Sequence, residues 1–259
     1  SRAFFASESE RNEQAKDSPA EISLSILMPV FDPSLGRVHS LLDGVLWCWD
    51  TAPKKDKKRA PKPPGFEDGL YSFVEMIDEA VGGAHSLTQG YEADDQVATA
   101  AMALSTEECD VIIVSSDKDL HQLASGNAKY YCLNAKSILS RHSILERWKV
   151  KRPIQSAIAL AILGDKGDNI QGIKGWGEKK VQQLFNAVTP EMDLDTALNT
   201  IVEQIPEDKL VPFYESLELT FLNSGVPDVP RPAPLTFPRL AQDRIQALRL
   251  DRCAGALAR

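Results

Sequence analysis

Gly90-Tyr91-Glu92-Ala93-Asp94-Asp95 opens a stretch that continues through an alanine-rich run to Val111-Ile112-Ile113-Val114-Ser115-Ser116-Asp117-Lys118-Asp119-Leu120. The spacing predicts a helix over Ala93–Leu104 and a β-branched strand over Val111–Ser115. Three carboxylates therefore open the helix, and two more sit at the far end of the strand. One acid in a first helical turn is ordinary, because it complements the helix dipole. Three within four residues exceed that need, and like charges held close repel and raise one another's pKa. Hard divalent cations relieve such crowding: Mg²⁺ or Mn²⁺ takes oxygen ligands and keeps several waters. The stretch is read as part of a multi-carboxylate metal site.

Composition sets the frame for that reading. The chain has 259 residues, 43% hydrophobic and 25% charged, ordinary values for a globular protein with a sizeable core. A formal charge of −8 argues at first against a nucleic-acid partner. Of the 37 acids, eight are assigned below to the metal site, and the other 29 match the 29 lysines and arginines. Cys48, Cys109, Cys132 and Cys253 form no CxxC pair. Three of them lie in or beside apolar segments and read as reduced core residues of an intracellular protein, which argues against a zinc site. No apolar run approaches the ~20 residues of a membrane span, and no signal-peptide pattern is present.

Upstream of the acidic stretch, Val45-Leu46-Trp47-Cys48-Trp49 reads as a buried strand that ends on Asp50. A helix is expected over 38–42 before it, and a carboxylate at the C-terminal end of such a strand is where open α/β sheets place ligands. Asp50 is equally a turn former. The basic run Lys54 to Lys62, with Lys57, Lys58 and Arg59 at its centre, follows at once. It is either a solvated loop or a segment that contacts phosphates at the site mouth. Helical periodicity continues over 66–81 and stops at Gly82-Gly83. Beyond the acidic stretch a strand is expected over Lys129–Leu133, and helices over Ser143–Trp148, Pro153–Leu163, Glu178–Ala187, Leu194–Ile205, Lys209–Leu222 and Ile245–Leu257. Strand–helix alternation ends near residue 135, so an α/β core with a helical appendage is predicted.

Two further acids, Asp165 and Asp168, stand three apart in Gly164-Asp165-Lys166-Gly167-Asp168-Asn169-Ile170. Gly172-Ile173-Lys174-Gly175-Trp176-Gly177-Glu178-Lys179-Lys180 follows. Gly172, Gly175 and Gly177 let backbone N–H groups approach a phosphate, and the helix N-terminus adds partial positive charge. Lys174, Lys179 and Lys180 add full charges. This is the design of a helix–hairpin–helix contact to a nucleic-acid backbone, indifferent to base sequence.

These motifs together resemble the 5′-nuclease (flap endonuclease / 5′–3′ exonuclease) family, as in the N-terminal domain of bacterial DNA polymerase I and related phage enzymes. The resemblance covers most of the chain. Arg2 to Ala6, Trp49-Asp50, Gly90 to Asp95, Ser116 to Leu120 and Gly164 to Gly177 match family motifs in order. The fold it implies is α/β: a PIN-like/5′-nuclease core over 1–140 with a central, mostly parallel sheet flanked by helices. A helical subdomain over 141–259 would carry the helix–hairpin–helix at 164–187.

The resemblance also implies metal-dependent 5′–3′ exonuclease and structure-specific flap endonuclease activity by a two-metal-ion mechanism. Two or more Mg²⁺ or Mn²⁺ ions would be held by Asp50, Glu92, Asp94, Asp95, Asp117 and Asp119, with Asp165 and Asp168 at the second site. One ion would make hydroxide from water, and the pair would steady the attacking and leaving oxygens. A K⁺ in the hairpin turn is implied as well. DNA would be gripped by Lys57, Lys58, Arg59, Lys118, Gly172, Lys174, Gly175, Gly177, Lys179 and Lys180. The expected partners are DNA with 5′ flaps, nicks or ends, RNA/DNA hybrids and a DNA polymerase, for a monomer in the cytoplasm of a bacterial or phage-infected cell.

Two departures stand out. The family's first aspartate would precede Ser1, so the chain is expected to be truncated at its N-terminus and short of its first strand. The helical arch that follows the strand-ending aspartate in the family carries a tyrosine and arginine pattern, and here only the lysine-rich run occupies that place. Among rivals, a PIN-like ribonuclease should lack the Gly172–Gly177 hairpin. A degenerate nuclease that only grips duplex DNA would have no reason to keep the acids, although the missing aspartate favours it. A Mg²⁺ phosphatase for small substrates leaves the hairpin and the basic run without a role.

Overall fold

The computed structural model describes residues 43–51, 71, 74–79, 82–105, 109–135 and 137–234. The motif at Arg2 to Ala6, the helix expected over 38–42, the basic run with Lys57, Lys58 and Arg59, the terminal helix and Cys253 lie outside the described residues. The chain divides into two compact units. The described residues of one fall within 43–51, 71–89 and 228–234, and those of the other within 90–227.

In the first unit β1 (Leu46–Cys48) pairs in parallel with β2 (Ala84–Ser86), Leu46 opposite Ala84 and Cys48 opposite Ser86. Residues 74–79 are helical, as their period requires. Gly82 and Gly83 end that helix with φ of 79° and 100°. A Cβ on Gly83 would come within 2.7 Å of Trp47 Nε1. Trp47 donates through Nε1 to the Gly82 carbonyl at 2.8 Å, so the indole seals the turn against the strand. Trp49 donates through Nε1 to His85 Nδ1 and stacks on that ring with centroids 5.9 Å apart. Thr51 Oγ1 donates to the Thr88 carbonyl at 2.7 Å. These contacts fix both flanks of half-buried Asp50.

The second unit contains α1 (Ala93–Leu104), β3 (Val111–Ser115), β4 (Ala128–Cys132) and β5 (Ser137–Leu139). β3 and β4 run parallel, with Val111 opposite Ala128 and Ser115 opposite Cys132, and β5 is antiparallel to β4. The connection from β3 to β4 contains a 3₁₀ turn, Lys118–Leu123, where an α-helix is more usual. The helices that follow are α2 (Arg141–Trp148), α3 (Ser156–Leu163), α4 (Glu178–Phe185), α5 (Leu194–Val202) and α6 (Glu207–Thr220). A 3₁₀ turn at Pro153–Gln155 precedes α3. Every side chain from Ser156 to Ile162 is buried, because Ser-Ala-Ile-Ala-Leu-Ala-Ile has no charged face to turn outward. α3 therefore lies inside the unit and packs against α6, with Ile158, Ile162, Leu184, Phe185, Ile201 and Phe213 in the core. Among the described cysteines all are free thiols, Cys48 and Cys132 half-buried on strands and Cys109 exposed. A core position does not hold for Cys109.

His121 sits in this core at 3% exposure. Its Nδ1 accepts from Trp148 Nε1 at 3.0 Å, and its ring meets Tyr130 edge-on with centroids 4.6 Å apart. Burial, then the positive charges of Arg147 and Lys118, push the imidazole down to about 4 against the opposing pull of Asp117. The unfolded chain takes up that proton near pH 6.5, so it binds more protons than the folded chain between pH 6.5 and 4. Stability should therefore fall as pH drops through that window, by about 2 kcal/mol between pH 7 and pH 5. His121→Asn, whose amide oxygen can still accept from Trp148, should remove most of this slope. Urea unfolding in EDTA at both pH values measures it, and an undiminished slope in H121N would assign the dependence to other groups.

Candidate functional site

The site begins where β3 ends. Ser115 Oγ accepts the N–H of Asp117 at 2.9 Å, and Asp117 Oδ1 accepts the N–H of Asp119 at 3.1 Å. Asp117 thus caps the 3₁₀ turn, and the turn draws Asp119 inward to 4% exposure. Beneath it, the Tyr130 hydroxyl contacts the carbonyls of Ser115 and Asp117 at 2.9 and 2.8 Å. Gln122 anchors the other side. Its Nε2 donates to the carbonyls of Asp119 and Thr220, and its Oε1 accepts from the N–H of Leu222. A polar side chain at 3% exposure therefore ties the turn to the end of α6.

The second part of the site follows α3. Gly164 caps that helix at φ 73°, and the next residues close a small bridge in which Asp165 and Ile170 exchange both backbone hydrogen bonds at 2.8 Å. Asp165 Oδ1 accepts the N–H of Gly167 at 2.8 Å. Asp168 is 8% exposed. The bridge places Asp165 and Asp168 beside Asp119, and ligand oxygens of the three lie within 4.8 Å of one another. All three offer oxygen only, the donor set of a hard divalent cation. Lys118 Nζ lies 2.7 Å from Asp165 Oδ2. Burial alone would raise the Asp165 carboxyl; the Lys118 hydrogen bond and the Gly167 N–H hold it below the usual carboxylate range.

Of the eight acids singled out by sequence, the structure joins these three in one cluster. Asp117 precedes it by two residues and faces the backbone of the turn. Glu92 occupies the N-cap position of α1 at 3% exposure without its carboxylate serving as the cap. Asp94 is half-buried in the first turn of α1. Asp95 also serves the architecture. Its Oδ1 accepts the N–H of Asn223 at 2.9 Å, and Thr99 one turn on accepts from Val226. This pair holds the segment after α6 against α1. Asp50 belongs to the other unit.

The glycine-rich turn also divides. Gly172 is buried, and its N–H donates to Ser216 Oγ at 3.1 Å. The expectation that this N–H meets a phosphate is corrected, because the donor is spent inside the protein. Glycine is required there for another reason. At φ 65°, a Cβ would stand 2.5 Å from the Gly164 nitrogen, so two chain segments cross in near contact. Gly175 and Gly177 differ, being exposed with nothing within 4 Å of a Cβ. Gly177 is the N-cap of α4. Lys174 and Lys179 are exposed beside them, and Lys180 reaches over the Trp176 ring at 4.9 Å while contacting Gln183 Oε1 at 3.3 Å.

With that geometry in place, comparison with known proteins is informative. The sequence profile of the 5′-3′ exonuclease N-terminal resolvase-like domain matches residues 2–150. The chain belongs to the 5′-3′ exonuclease family. DNA polymerase I of Rhizobium leguminosarum is 41% identical to it over 117 residues, 45% of this chain and 11% of that protein. The flap endonuclease Xni of Shewanella amazonensis is 28% identical over 173 residues, 61% of this chain and 62% of that one. The chain thus spans about a tenth of the polymerase relative. Among solved structures, the D15 flap endonuclease of bacteriophage T5, in a pseudo-enzyme-product complex with DNA and metal ions, matches with a TM-score of 0.55. That match covers 92% of this chain and 90% of the phage protein at 17% identity, a likeness of fold. The family profile ends before Asp165, Asp168 and the glycine-rich turn, so the second half of the acidic cluster is drawn from outside the matched span.

Sequence reasoning passed over Tyr130, Gln122 and the pairing of Lys118. For Gln122 a signal existed: a polar residue inside Leu120-His121-Gln122-Leu123, where an apolar one would pack more simply. The two glycine environments yield a direct test. Gly172→Ala should cost about 3–4 kcal/mol, from a left-handed alanine plus a backbone collision. Gly175→Ala, strained in φ but open in space, should cost about 1–2 kcal/mol. Equal costs in urea unfolding would mean that the crossing at Gly164 relaxes freely.

Proposed function

We propose that the chain is a divalent-metal-dependent nuclease that hydrolyses DNA phosphodiester bonds near 5′ ends, as a 5′–3′ exonuclease and flap endonuclease. The observation that carries this reading is the convergence of Asp119 with Asp165 and Asp168. Three carboxylates drawn together from two separate segments repel when ionised, and a cation offsets that repulsion. Family membership and the DNA and metal ions held by the phage relative support it. Asp119, Asp165 and Asp168 would hold Mg²⁺ or Mn²⁺, and Glu92, Asp94, Asp95 and Asp117 are proposed to serve a neighbouring ion. Bound there, the ions would supply a water of lowered pKa and positive charge beside the scissile phosphate.

The chain's own residues divide the remaining work. Tyr130 and Gln122 hold the Asp117–Asp119 turn rigid, so the carboxylates need not reorganise during reaction. Buried Asp119 and Asp168 limit the water around the site. The exposed N–H groups at Gly175 and Gly177, with Lys174, Lys179 and Lys180, form a helix–hairpin–helix grip on duplex backbone, with room for a K⁺ in the turn as a further proposal. Phosphate contacts of this kind position DNA without reading its bases. Residues 1–140, joined by Asp165 and Asp168, are proposed to carry the chemistry, and the remainder of 141–259 the grip.

The test uses 5′-flap and nicked duplexes with the full-length protein. Short 5′ products should appear with Mg²⁺ or Mn²⁺ and vanish with EDTA, while some duplex binding persists. Asp119→Asn and Asp94→Asn should each slow cleavage about a hundredfold or more while the fold is kept. Lys179→Ala should weaken binding to all sequences alike and lower the salt slope by about one. Tight binding with no cleavage under either metal would replace the nuclease by a DNA-gripping module.

A further inference from the structure

Lys118 lies between two acids, Asp117 and Asp119, yet its ammonium crosses to a third on a different segment. Its Nζ is 2.7 Å from Asp165 Oδ2, with the lysine side chain 33% and the aspartate 15% exposed. Exposed surface pairs contribute little, because water screens them and two long side chains must be ordered. This pair differs in its surroundings. Asp165 is mostly covered, and it shares its position with two further carboxylates that would otherwise push it outward.

The oxygens of Asp165 are already engaged by the protein. Oδ1 accepts the Gly167 N–H, Oδ2 faces the Lys118 ammonium, and the Asp168 side chain hydrogen-bonds the same carboxyl. A divalent ion shared by the three carboxylates needs an oxygen of Asp165, and Oδ2 is the one not committed to the backbone. An ammonium and a dication on one oxygen would lie only a few ångströms apart and repel. The charge count points the same way. With all three carboxylates ionised, one lysine would leave −2 and one divalent ion alone −1. Either cation makes the cluster tolerable, and the two compete for the same place.

We propose that Lys118 is the resident counter-ion of the Asp119–Asp165–Asp168 cluster, holding Asp165 in position when no divalent ion is bound and leaving when one binds. The inference rests on the metal-site reading above. It assigns Lys118 two states. Paired, it keeps the loop after α3 closed on the 3₁₀ turn. Displaced, it carries a free ammonium on a flexible stem at the edge of the site. Metal affinity is lowered by the contact that the ion must break, and by linkage the ion weakens that contact by the same factor.

Lys118→Met keeps the stem and removes the charge. In the full-length protein, Mn²⁺ affinity measured by calorimetry should rise about tenfold in K118M. In EDTA the variant should melt below wild type, and saturating Mn²⁺ should abolish or reverse that difference. Unchanged or weaker Mn²⁺ binding in K118M would overturn the inference, since Lys118 would then support the bound ion or ignore it. Wild-type protein that binds no Mn²⁺, or binds it unchanged after Asp119→Asn, would instead defeat the metal-site reading and the inference with it. A readout on wild type covers the case of a variant that does not fold. The Lys118 ammonium resonance should be seen in EDTA and lost on titration with Mg²⁺, and its persistence at saturation would equally refute displacement.

Discussion

Asp119, Asp165 and Asp168 are held at distances where like charges repel, and the surrounding structure can be understood as the means of holding them. Ligand oxygens of the three lie within 4.8 Å of one another, where ionised carboxylates repel. The Asp165–Asp168 side-chain hydrogen bond offsets part of that repulsion but does not reach Asp119 across the two segments. The restraint has to come from backbone that is committed elsewhere, together with a compensating cation. The Lys118 ammonium is one such cation in the molecule as it stands.

The restraint is applied from both sides. On the β3 side, Asp117 closes the turn on Asp119, Tyr130 meets the carbonyls on either side of Ser116, and Gln122 links the turn to α6. On the α3 side, the Asp165–Ile170 bridge and the crossing of Gly164 with Gly172 fix the loop. The N–H of Ile173 donates to the Ile162 carbonyl, carrying the same restraint into the buried helix. Core packing and site geometry are thus continuous. His121, Tyr130 and Trp148 form one aromatic cluster directly under the acidic turn. A change in that cluster reaches the carboxylates through two or three contacts.

Much of this is legible in the sequence, and the exceptions have physical causes. α1 falls over Ala93–Leu104 as its alanine-rich, acid-opened pattern required, and β3 over the β-branched run Val111–Ser115. β2 and β5 carry no strand signal in the sequence, because Ala-His-Ser and Ser-Ile-Leu are too short to establish an alternating period. Pairing alone makes them strands. The expected helix from Pro153 is split, because Gln155 Oε1 takes the N–H groups of Lys151 and Arg152 and tightens the first turn. In sequence Gly172 reads like Gly175 and Gly177, because a glycine's spelling is the same whether it faces solvent or another chain segment.

By itself the sequence determined the α/β character, the acids from which a metal site is drawn, and the position of the glycine-rich turn. Those follow from local properties: hydrophobic period, charge density and the conformational reach of glycine. Tertiary structure decided which acids meet. It joined Asp119 to Asp165 and Asp168 across the intervening β4, β5, α2 and α3, assigned Asp95 to an internal hydrogen bond, and set Lys118 against Asp165. Such convergence depends on distances between segments far apart along the chain, which packing of the buried helices fixes and no local spacing encodes.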